Sequence, residues 1–402
     1  MNIKNNIKIE KLDDFGRGIG YVDNKIIFIN NAMIGEVVDI NITKETTKYY
    51  EGEVIKYIKL SNDRVNVKCP YYNYCGGCNI LHMNYDIQIN YKKHKIKNIL
   101  NKFSNIELDI LTIKNKNINN YRNRIELKIQ DNRWGYYNTK THNFVEINNC
   151  MLAKNSINKV IENKKYINIK NGSITIRSNY NDEIILNIKT DDEIDIDINN
   201  LKKYIKLVGI VINDKTYYGD NFFYEIINNK LFKVNYNSFF QINSFITNEM
   251  INIINDNCYG KILLELYCGV GFLGQAIDHN FDKRYGIELN RNSILDAVSN
   301  AKINKINNTY YLCGDSSKLI SIIKEDIDTL IIDPPRSGLY KTMIKDIINT
   351  NSNKIIYVSC NPITLARDIN LLKEKYNVKK IYLLDMFSNT YHFETVCILK
   401  KI

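Results

Sequence analysis

Residues 354–368 read KIIYVSCNPITLARD, and this stretch decides the fold. Its first part, Ile355–Val358, is a short apolar run rich in β-branched residues, which predicts a buried strand. Asn361 and Pro362 then suit a helix N-cap followed by proline at the first helical position. Apolar residues continue beyond them at helical spacing, so the sequence predicts a strand followed at once by an amphipathic helix.

Cys360 lies between the end of that strand and the start of the helix. The positive end of a helix dipole favours the thiolate form of a cysteine. A buried structural cysteine is much the commoner fate of an isolated thiol. Ligand crevices of α/β sheets open at strand ends, however, so the position of Cys360 favours a nucleophile.

The chain has 402 residues, enough for two or three domains with ample core. Its 44% hydrophobic and 25% charged residues are typical of soluble globular proteins. It contains no run of eighteen apolar residues and no signal-peptide pattern, so we expect a cytoplasmic protein without a membrane span. The net charge of +11 hints at a polyanionic partner. Nothing in the sequence predicts more than a monomer.

Three domains are predicted from the change in pattern along the chain. Residues 1–62 contain short alternating runs punctuated by glycine, which is typical of a small β-barrel. Residues 63–236 begin with a basic helix at 85–103 and continue as mostly antiparallel sheet. Basic and aromatic residues interleave there, as in surfaces that hold nucleic acid. Residues 237–402 alternate strands and helices, which predicts a parallel α/β sheet.

Four cysteines of the first 150 residues follow the spacing C-x5-C-x2-C-x71-C: Cys69, Cys75, Cys78 and Cys150. Four thiolates in this arrangement suit an iron–sulfur cluster or a structural zinc ion. Four unrelated thiols would be an uncommon coincidence, since a C-x2-C pair preceded by a third cysteine is rarely accidental. The spacing does not choose between the two metals.

The first predicted strand of the α/β domain covers residues 262–266, and a glycine-rich turn follows it. Gly269, Gly271 and Gly274 fit the pattern G-x-G-x-x-G, a tight turn that lets a cofactor approach the backbone. Glu288 ends the second strand, where an acid holds the ribose diol of a nucleotide. These features alone are compatible with NAD.

Two further features favour S-adenosyl-L-methionine over NAD. Asp333-Pro334-Pro335 follows the fourth predicted strand. Strands predicted at 381–387 and 393–400, joined by a five-residue turn, resemble the antiparallel pair that closes the sheet of class I methyltransferases. The predicted fold is therefore a Rossmann-like methyltransferase domain preceded by a barrel and a central β domain.

Six stretches together resemble the bacterial RNA uracil-C5 methyltransferase family: FFQIN (239–243), ELYCGVG (265–271), IELN (287–290), DPPRSGL (333–339), SCNPITLARD (359–368) and HFETV (392–396). The resemblance extends over the whole chain, and DPPR with SCNP at this separation is highly specific. It implies a TRAM RNA-binding barrel and a [4Fe-4S] cluster on the four cysteines. A barrel with a cluster resembles the 23S rRNA branch, because the tRNA branch typically lacks both.

The resemblance also implies roles for single residues. Cys360 matches the nucleophile and Glu394 the general base. The positions that match cofactor contacts are Gln241, Tyr267, Glu288, Asp315 and Asp333. Two positions depart from other members: Phe272 replaces a polar residue of some, and Asp315 replaces asparagine of others. Because the target base must leave its stack, Phe239 or Tyr391 is a candidate to stack on it.

Other functions stay open at this point. RNA cytosine-C5 methylation also uses a cysteine nucleophile, whereas the DPPY-type signature of adenine-N6 enzymes and the PCQ motif of cytosine-C5 DNA enzymes are absent. Methylation of tRNA is a near alternative. A non-catalytic RNA-binding or ribosome-assembly protein with this fold would not need Cys360, Glu394 and Asp333. A redox protein would be expected to show a flavin or second-cluster signature, and none is present.

Overall fold

The computed structural model describes residues 2–138 and 141–402. Three large sheets of six, seven and eight strands follow one another along the chain, with two small two-stranded sheets beside them. No helix in the described part of the chain is long and apolar enough to span a membrane.

The six-stranded sheet is formed by the N-terminal residues. Its strands are β1 (Ile3–Lys8), β2 (Lys11–Leu12), β3 (Gly18–Val22), β4 (Lys25–Asn30), β5 (Val37–Glu45) and β6 (Tyr49–Lys59). Their order is β1-β5-β6-β4-β3-β2, and all neighbours except β4 and β6 are antiparallel. Alternating residues such as Ile27, Ile29 and Ile40 are fully buried in its small core, which explains the alternating pattern of the sequence.

The alternating residues 20–29 form two strands, because β3 and β4 are joined by a tight hairpin at Asp23 and Asn24. Both turn residues have positive φ, 51° and 63°. Asp and Asn tolerate this left-handed conformation better than most residues, so the pair marks a hairpin turn within a run of apolar alternation.

A helical segment follows the barrel. It contains α1 (Tyr72–Cys75) and α2 (Tyr85–Ser104), followed by β7 (Ile110–Ile113). The predicted basic helix is confirmed as α2, whose N-cap Asn84 accepts a hydrogen bond from the amide of Ile87 at 3.0 Å. Strand β7 does not join the neighbouring central sheet, because it pairs with the far C-terminal part of the chain.

The seven-stranded sheet and a hairpin make up the middle of the chain. The elements are β8 (Arg124–Gln130), β9 (Arg133–Tyr137), β10 (Phe144–Glu146), α3 (Asn155–Glu162), β11 (Ile167–Asn168), β12 (Asn171–Ser178), β13 (Glu183–Lys189), β14 (Asp195–Ile196), α4 (Ile198–Leu201), β15 (Lys206–Ile212), β16 (Lys215–Gly219), β17 (Phe222–Ile227) and β18 (Lys230–Asn235). The sheet order is β10-β9-β8-β12-β13-β15-β16, antiparallel except for β13 with β15. The prediction of a mostly antiparallel central sheet is confirmed.

The C-terminal part alternates strands and helices as predicted. Its elements are α5 (Ser244–Asn257), β19 (Ile262–Leu266), α6 (Phe272–Ala276), β20 (Lys283–Glu288), α7 (Arg291–Ile303), β21 (Thr309–Cys313), α8 (Ser316–Leu319), β22 (Thr329–Ile332), α9 (Lys341–Asn349), β23 (Lys354–Ser359), α10 (Pro362–Leu372), β24 (Tyr376–Leu384) and β25 (Glu394–Lys401). The eight strands are ordered β21-β20-β19-β22-β23-β25-β24-β7. Strand β25 is antiparallel to both of its neighbours, and the other pairs are parallel.

The predicted junction between β23 and α10 is confirmed. The side chain of Asn361 accepts a hydrogen bond from the amide of Ile363 at 3.1 Å, and Pro362 occupies the first turn. The apolar residues of α10 face a core that is buried between the sheet and α2, and residues such as Leu365 and Ile369 are fully buried there. Cys360 is therefore held between a central strand and a packed helix.

The connection between β24 and β25 is longer than the predicted five residues. It extends over residues 385–393 because Asp385 leaves the strand and is fully buried in an ion pair with Lys92 of α2, at 2.5 Å. The phenol of Tyr85 also donates to Asp385, at 2.8 Å. Removing one partner of such a pair leaves an unpaired buried charge, at a cost of about 3–5 kcal/mol. Helix α2 thereby fixes the loop that leads to Glu394.

Candidate active site

A cleft of about 1050 Å³ opens at the carboxyl ends of the parallel strands. Ligand crevices of α/β sheets lie at this edge. All seven side chains that were predicted for catalysis or cofactor contact line this cleft: Gln241, Tyr267, Glu288, Asp315, Asp333, Cys360 and Glu394. The fold thus brings into one place residues that come from separate segments of the chain.

The turn after β19 shapes one wall of the cleft. Gly271 has φ 72°, and a Cβ there would lie 2.5 Å from both the Gln275 amide nitrogen and the Tyr311 hydroxyl, so only glycine fits. Gly269 has φ 53°, and a Cβ there would meet no atom within 4 Å, because this part of the turn faces open space. The Gly269 amide donates to the Glu288 carboxylate at 3.2 Å, which joins the turn to the end of β20.

Two acids along this wall have defined hydrogen bonds. The second oxygen of Glu288 accepts from the amide of Asn290 at 2.8 Å, so backbone donors hold both oxygens. Asp315 is the N-cap of α8 and accepts from the amide and the hydroxyl of Ser317 at 2.9 and 2.8 Å. The backbone hydrogen bond from Ser317 lowers the pKa of Asp315. Burial raises the pKa of Tyr267 to about 12, so its phenol is neutral.

Strand register places Cys360 beside Glu394. Strands β23 and β25 are antiparallel, with Ser359 opposite Thr395. Cys360 follows Ser359 and Glu394 precedes Thr395, so the two side chains come from adjacent positions at the same end of the pair. The Thr395 hydroxyl donates to the Ser359 carbonyl at 2.8 Å and holds this register. A one-residue slip would turn both side chains away from each other.

Burial and the neighbouring carboxyl groups disfavour the thiolate form of Cys360. Burial raises the pKa of the Cys360 thiol to about 11, and the carboxyl groups of Glu394 and Asp333 act in the same direction. The helix dipole favours the thiolate of Cys360, whereas burial favours the neutral thiol. Burial also raises the pKa of Asp333 to about 7 and that of Glu394 well above its ordinary range. The site holds two carboxyl groups of which at least one is readily protonated.

Arg336 is a site residue that the sequence indicated only as part of the DPPR motif. Its positive charge lowers the pKa values of both Cys360 and Glu394, against the effect of burial. The side chain is exposed at the rim of the cleft. The sequence signal for Arg336 was a cation directly after the rigid Pro334-Pro335 pair, at a strand end where an anion forms.

Three aromatic residues named in the sequence analysis fall into different places. Phe272 is buried in the core against Phe232 and Phe240, at ring distances of 5.8 and 5.2 Å, and does not line the cleft. Phe239 lines the cleft and is 69% exposed, so its ring is free to meet a base. Tyr391 lies in a neighbouring groove and does not line the cleft, which corrects its assignment as a ring for the target base.

The four cysteines are half-buried free thiols near one another. Cys69 precedes α1, Cys75 is the last residue of α1, and Gly76 after it has φ 71°. The charge of Cys150 influences the pKa of each of the other three thiols, which shows their proximity. Burial raises the pKa values of Cys69, Cys75 and Cys78, and that of Cys75 reaches about 11.

The thiols do not form a coordination set as they stand. Among residues 2–138 and 141–402, no three His, Cys, Asp or Glu side chains lie together in a group that could hold a metal ion. Arg122 lies close enough to lower the pKa values of Cys75 and Cys78. Its Nε atom is buried without a hydrogen-bond partner in the described structure. Four thiols next to an unsatisfied cation are chemically suited to an anionic metal–thiolate group.

Comparisons with known proteins agree with this architecture. Residues 84–402 match the tRNA (Uracil-5-)-methyltransferase family, and residues 5–55 match the TRAM domain. An uncharacterized RNA methyltransferase of Clostridium tetani is 29% identical, with 98% of this chain and 95% of the relative covered. One of Staphylococcus aureus is 28% identical over 98% of both chains.

A solved structure is similar over the full length. The tRNA (uracil-54, C5)-methyltransferase of Pyrococcus abyssi, in complex with S-adenosyl-L-homocysteine, superimposes with a TM-score of 0.82 and 25% identity. The match covers 98% of this chain and 99% of that one. With the family match over most of its length and a TRAM domain before it, this chain belongs to the tRNA (Uracil-5-)-methyltransferase family.

Proposed function

We propose that the protein transfers the methyl group of S-adenosylmethionine to C5 of a uridine in RNA, with Cys360 as nucleophile and Glu394 as base. The observation that carries the proposal is the strand register that sets Cys360 beside Glu394, in the cleft that the glycine turn lines. Uracil C5 is a poor nucleophile, so the reaction needs covalent activation at C6, and a thiol is suited to that step.

The residues of the glycine-turn wall fit a nucleoside cofactor. Glu288, with both oxygens fixed by backbone amides, is placed to accept from a ribose diol. Tyr267, Asp315 and Gln241 line the same cleft and would hold the remaining parts of the molecule. When bound there, S-adenosylmethionine supplies the methyl group and carries a positive sulfonium charge that favours ionised carboxylates beside it.

In the first step, the sulfur of Cys360 forms a bond to C6 of the uracil. The thiol proton leaves at the same time, since burial raises the pKa of Cys360 to about 11. Asp333 is the acceptor that we propose, because its pKa of about 7 leaves a substantial ionised fraction near neutrality. Arg336 stabilises the negative charge that develops at the sulfur.

In the second step, C5 of the resulting enolate takes the methyl group, whose bond to the sulfonium sulfur breaks to leave a neutral thioether, and Glu394 removes the proton from C5. The electron pair of that C–H bond restores the C5–C6 double bond and expels the Cys360 sulfur. Glu394 must be ionised to act, and Arg336 is the protein cation that lowers its pKa. The Glu394 carboxyl group is available for this step because the antiparallel strands β23 and β25 keep it beside Cys360.

We further propose that Cys69, Cys75, Cys78 and Cys150 hold a [4Fe-4S] cluster. Four neighbouring thiols and the buried, unsatisfied Nε of Arg122 support this proposal. Anaerobic purification should yield protein with broad absorbance at about 400 nm, which is expected of thiolate-bound iron clusters. The protein should also contain iron and acid-labile sulfide. Stoichiometric zinc in a colourless protein would overturn the iron assignment.

We propose that the substrate is 23S rRNA, because the combination of a TRAM barrel with four cysteines resembles the 23S rRNA branch of the family. Transfer RNA is the second candidate, because the Pyrococcus abyssi enzyme described as a tRNA (uracil-54, C5)-methyltransferase is similar over the full chain. We expect a monomer that acts in the cytoplasm.

The test is to incubate the protein with tritiated S-adenosylmethionine and total RNA from a strain that lacks the activity. Label at C5 of one large-subunit rRNA uridine supports the reaction and the substrate. Label at C5 of a tRNA uridine keeps the reaction and replaces the substrate. Absence of label in any RNA, with cofactor binding intact, overturns the proposed function.

A further inference from the structure

A second groove of about 1200 Å³ adjoins the catalytic cleft. Ile242, Arg336 and Phe387 line both, so the two spaces meet at these three residues. The groove extends from there to the N-terminal barrel, where Phe15 and Arg17 line it. A strand of RNA whose target uridine occupies the cleft therefore has a path toward the barrel.

Four of the rings that line this groove follow one another, and we call them the aromatic row: Phe15, Tyr391, His392 and Phe387. Phe15 of the barrel meets Tyr391 edge-on at 5.5 Å between ring centroids. Tyr391 lies 4.1 Å from His392, and His392 lies 6.1 Å from Phe387. The row thus runs from the barrel to Phe387, one of the three residues that line both spaces.

The rings of the row present aromatic surface to the groove. Phe15 is 54% exposed despite its contact with Tyr391, and the other three rings are half-buried. Burial and the charges of Arg336, Lys95, Lys92 and Arg122 lower the pKa of His392 to about 4, so its ring is neutral at physiological pH. Neutral aromatic faces stack on bases with little preference for sequence.

The residues around the row suit a polyanion. The charged side chains that line the groove are Arg17, Arg122, Arg336 and Glu53. Arg17 is paired with Asp13 at 2.7 Å, whereas neither Arg122 nor Arg336 forms a salt bridge within the described residues. Arg336, which lines both spaces, therefore places a positive charge without a salt-bridge partner at the end next to the catalytic cleft, where phosphates beside the target uridine would pass.

The loop of residues 385–393, which carries three of the four rings, is held by hydrogen bonds from two sides. The backbone carbonyl of Asn389 accepts from the amides of Asn79 and Ile80, at 3.2 and 3.3 Å, directly after the cysteine segment. The side chain of Asn389 accepts from Gln88 of α2 at 3.0 Å. A surface fixed from two sides loses little entropy when a base stacks on it.

We propose that the aromatic row stacks a base of the RNA strand next to the target uridine. This inference rests on the proposed function and adds to it the contact that positions the flanking nucleotide. The target base itself has Phe239 in the cleft, so the row serves a different nucleotide. A purely structural role, in which Phe15 and Tyr391 only hold the barrel in place, is the competing explanation.

The test begins with the uridine that the wild-type protein labels in total RNA, and uses an RNA fragment of about 20 nucleotides around it. Steady-state methylation is measured for wild type, Tyr391→Ala, Phe15→Ala and Tyr391→Phe. We expect each alanine variant to raise KM for RNA about tenfold, equivalent to about 1.4 kcal/mol, with kcat unchanged, while Tyr391→Phe behaves as wild type. Tyr217→Ala is the matched control, since Tyr217 is 52% exposed on edge strand β16 and outside both spaces.

Unchanged KM in both alanine variants would overturn the inference. So would a fall in kcat accompanied by weaker S-adenosylhomocysteine binding, which is the result that a structural role predicts. If the variants do not fold, the wild type is cross-linked to the fragment with 4-thiouridine beside the target. Cross-links to peptides containing residues 15 or 387–392 support the row, and cross-links elsewhere contradict it. Absence of methylation of any uridine by wild type would instead refute the proposed function.

Discussion

The catalytic cleft and the cysteine site were both predicted from sequence motifs, but the fold organises them differently. In the cleft, strand register and backbone hydrogen bonds hold the reactive side chains in place without a ligand. At the cysteine site, four thiols are neighbours, yet among the described residues they form no coordination set. The catalytic side chains lie at the ends of paired strands that fix their spacing, whereas the four thiols come from α1 and from the irregular segments around residues 69, 78 and 150.

The largest effect in this comparison is expected from the preorganised site. Cys360→Ala should abolish methyl transfer, by at least about a thousandfold, because the covalent route is lost. Binding of S-adenosylhomocysteine, measured by calorimetry, should be unchanged, because the cofactor wall does not depend on the thiol. Cys313→Ala, which removes an exposed thiol outside the cleft, is the matched control and should retain full activity. Substantial turnover by the Cys360 variant would remove the nucleophile assignment.

The next largest effect concerns the partner across the strand pair. Glu394→Gln should reduce turnover about a hundredfold to ten-thousandfold, since proton removal from C5 is blocked. The preceding steps remain, so a covalent protein–RNA adduct that survives SDS should accumulate, visible as a shifted band on a denaturing gel. The double variant with Cys360→Ala should form no such adduct. Normal turnover without an adduct would show that another group is the base.

A smaller effect is expected from the cation at the rim. Arg336→Gln removes a charge that lowers the pKa of Cys360, so the thiol pKa should rise further above about 11. Adduct formation should slow about tenfold at neutral pH, with the single-turnover rate profile displaced to higher pH, because each 1.36 kcal/mol of lost stabilisation corresponds to tenfold. Arg336→Lys, which keeps the positive charge, should recover most of the rate. A profile that is slower at every pH without displacement would assign Arg336 to RNA binding alone.

The smallest effect on cofactor binding in the cleft is expected from a substitution at the cysteine site. The Cys78→Ser protein should lack the cluster absorbance at about 400 nm. Its melting temperature should be lower than that of the wild type. The affinity for S-adenosylhomocysteine should stay within about twofold, because sites without shared partners act independently. Cys313→Ser is the control for loss of one thiol. A large loss of cofactor affinity would show that the two sites are coupled.

The sequence by itself determined much of the fold. Strand alternation, the N-cap at Asn361 with Pro362, and the basic helix α2 are local features, and the structure has them where they were predicted. The glycine turn and the order of strands and helices indicated the α/β class, because tight turns and periodicity are written in neighbouring residues. The resemblance added the family, which the match over residues 84–402 confirms.

Only the tertiary structure decided which side chains meet and in what state. Sequence placed a helix dipole at Cys360, but burial beside Glu394 and Asp333 raises the pKa of the thiol, and burial depends on residues far apart in the chain. It placed Tyr391 near the target base, whereas the 385–393 loop, held by Lys92 and Asp385, sets that ring in the neighbouring groove. Long-range contacts fix distance and dielectric environment, and local sequence patterns carry no information on either.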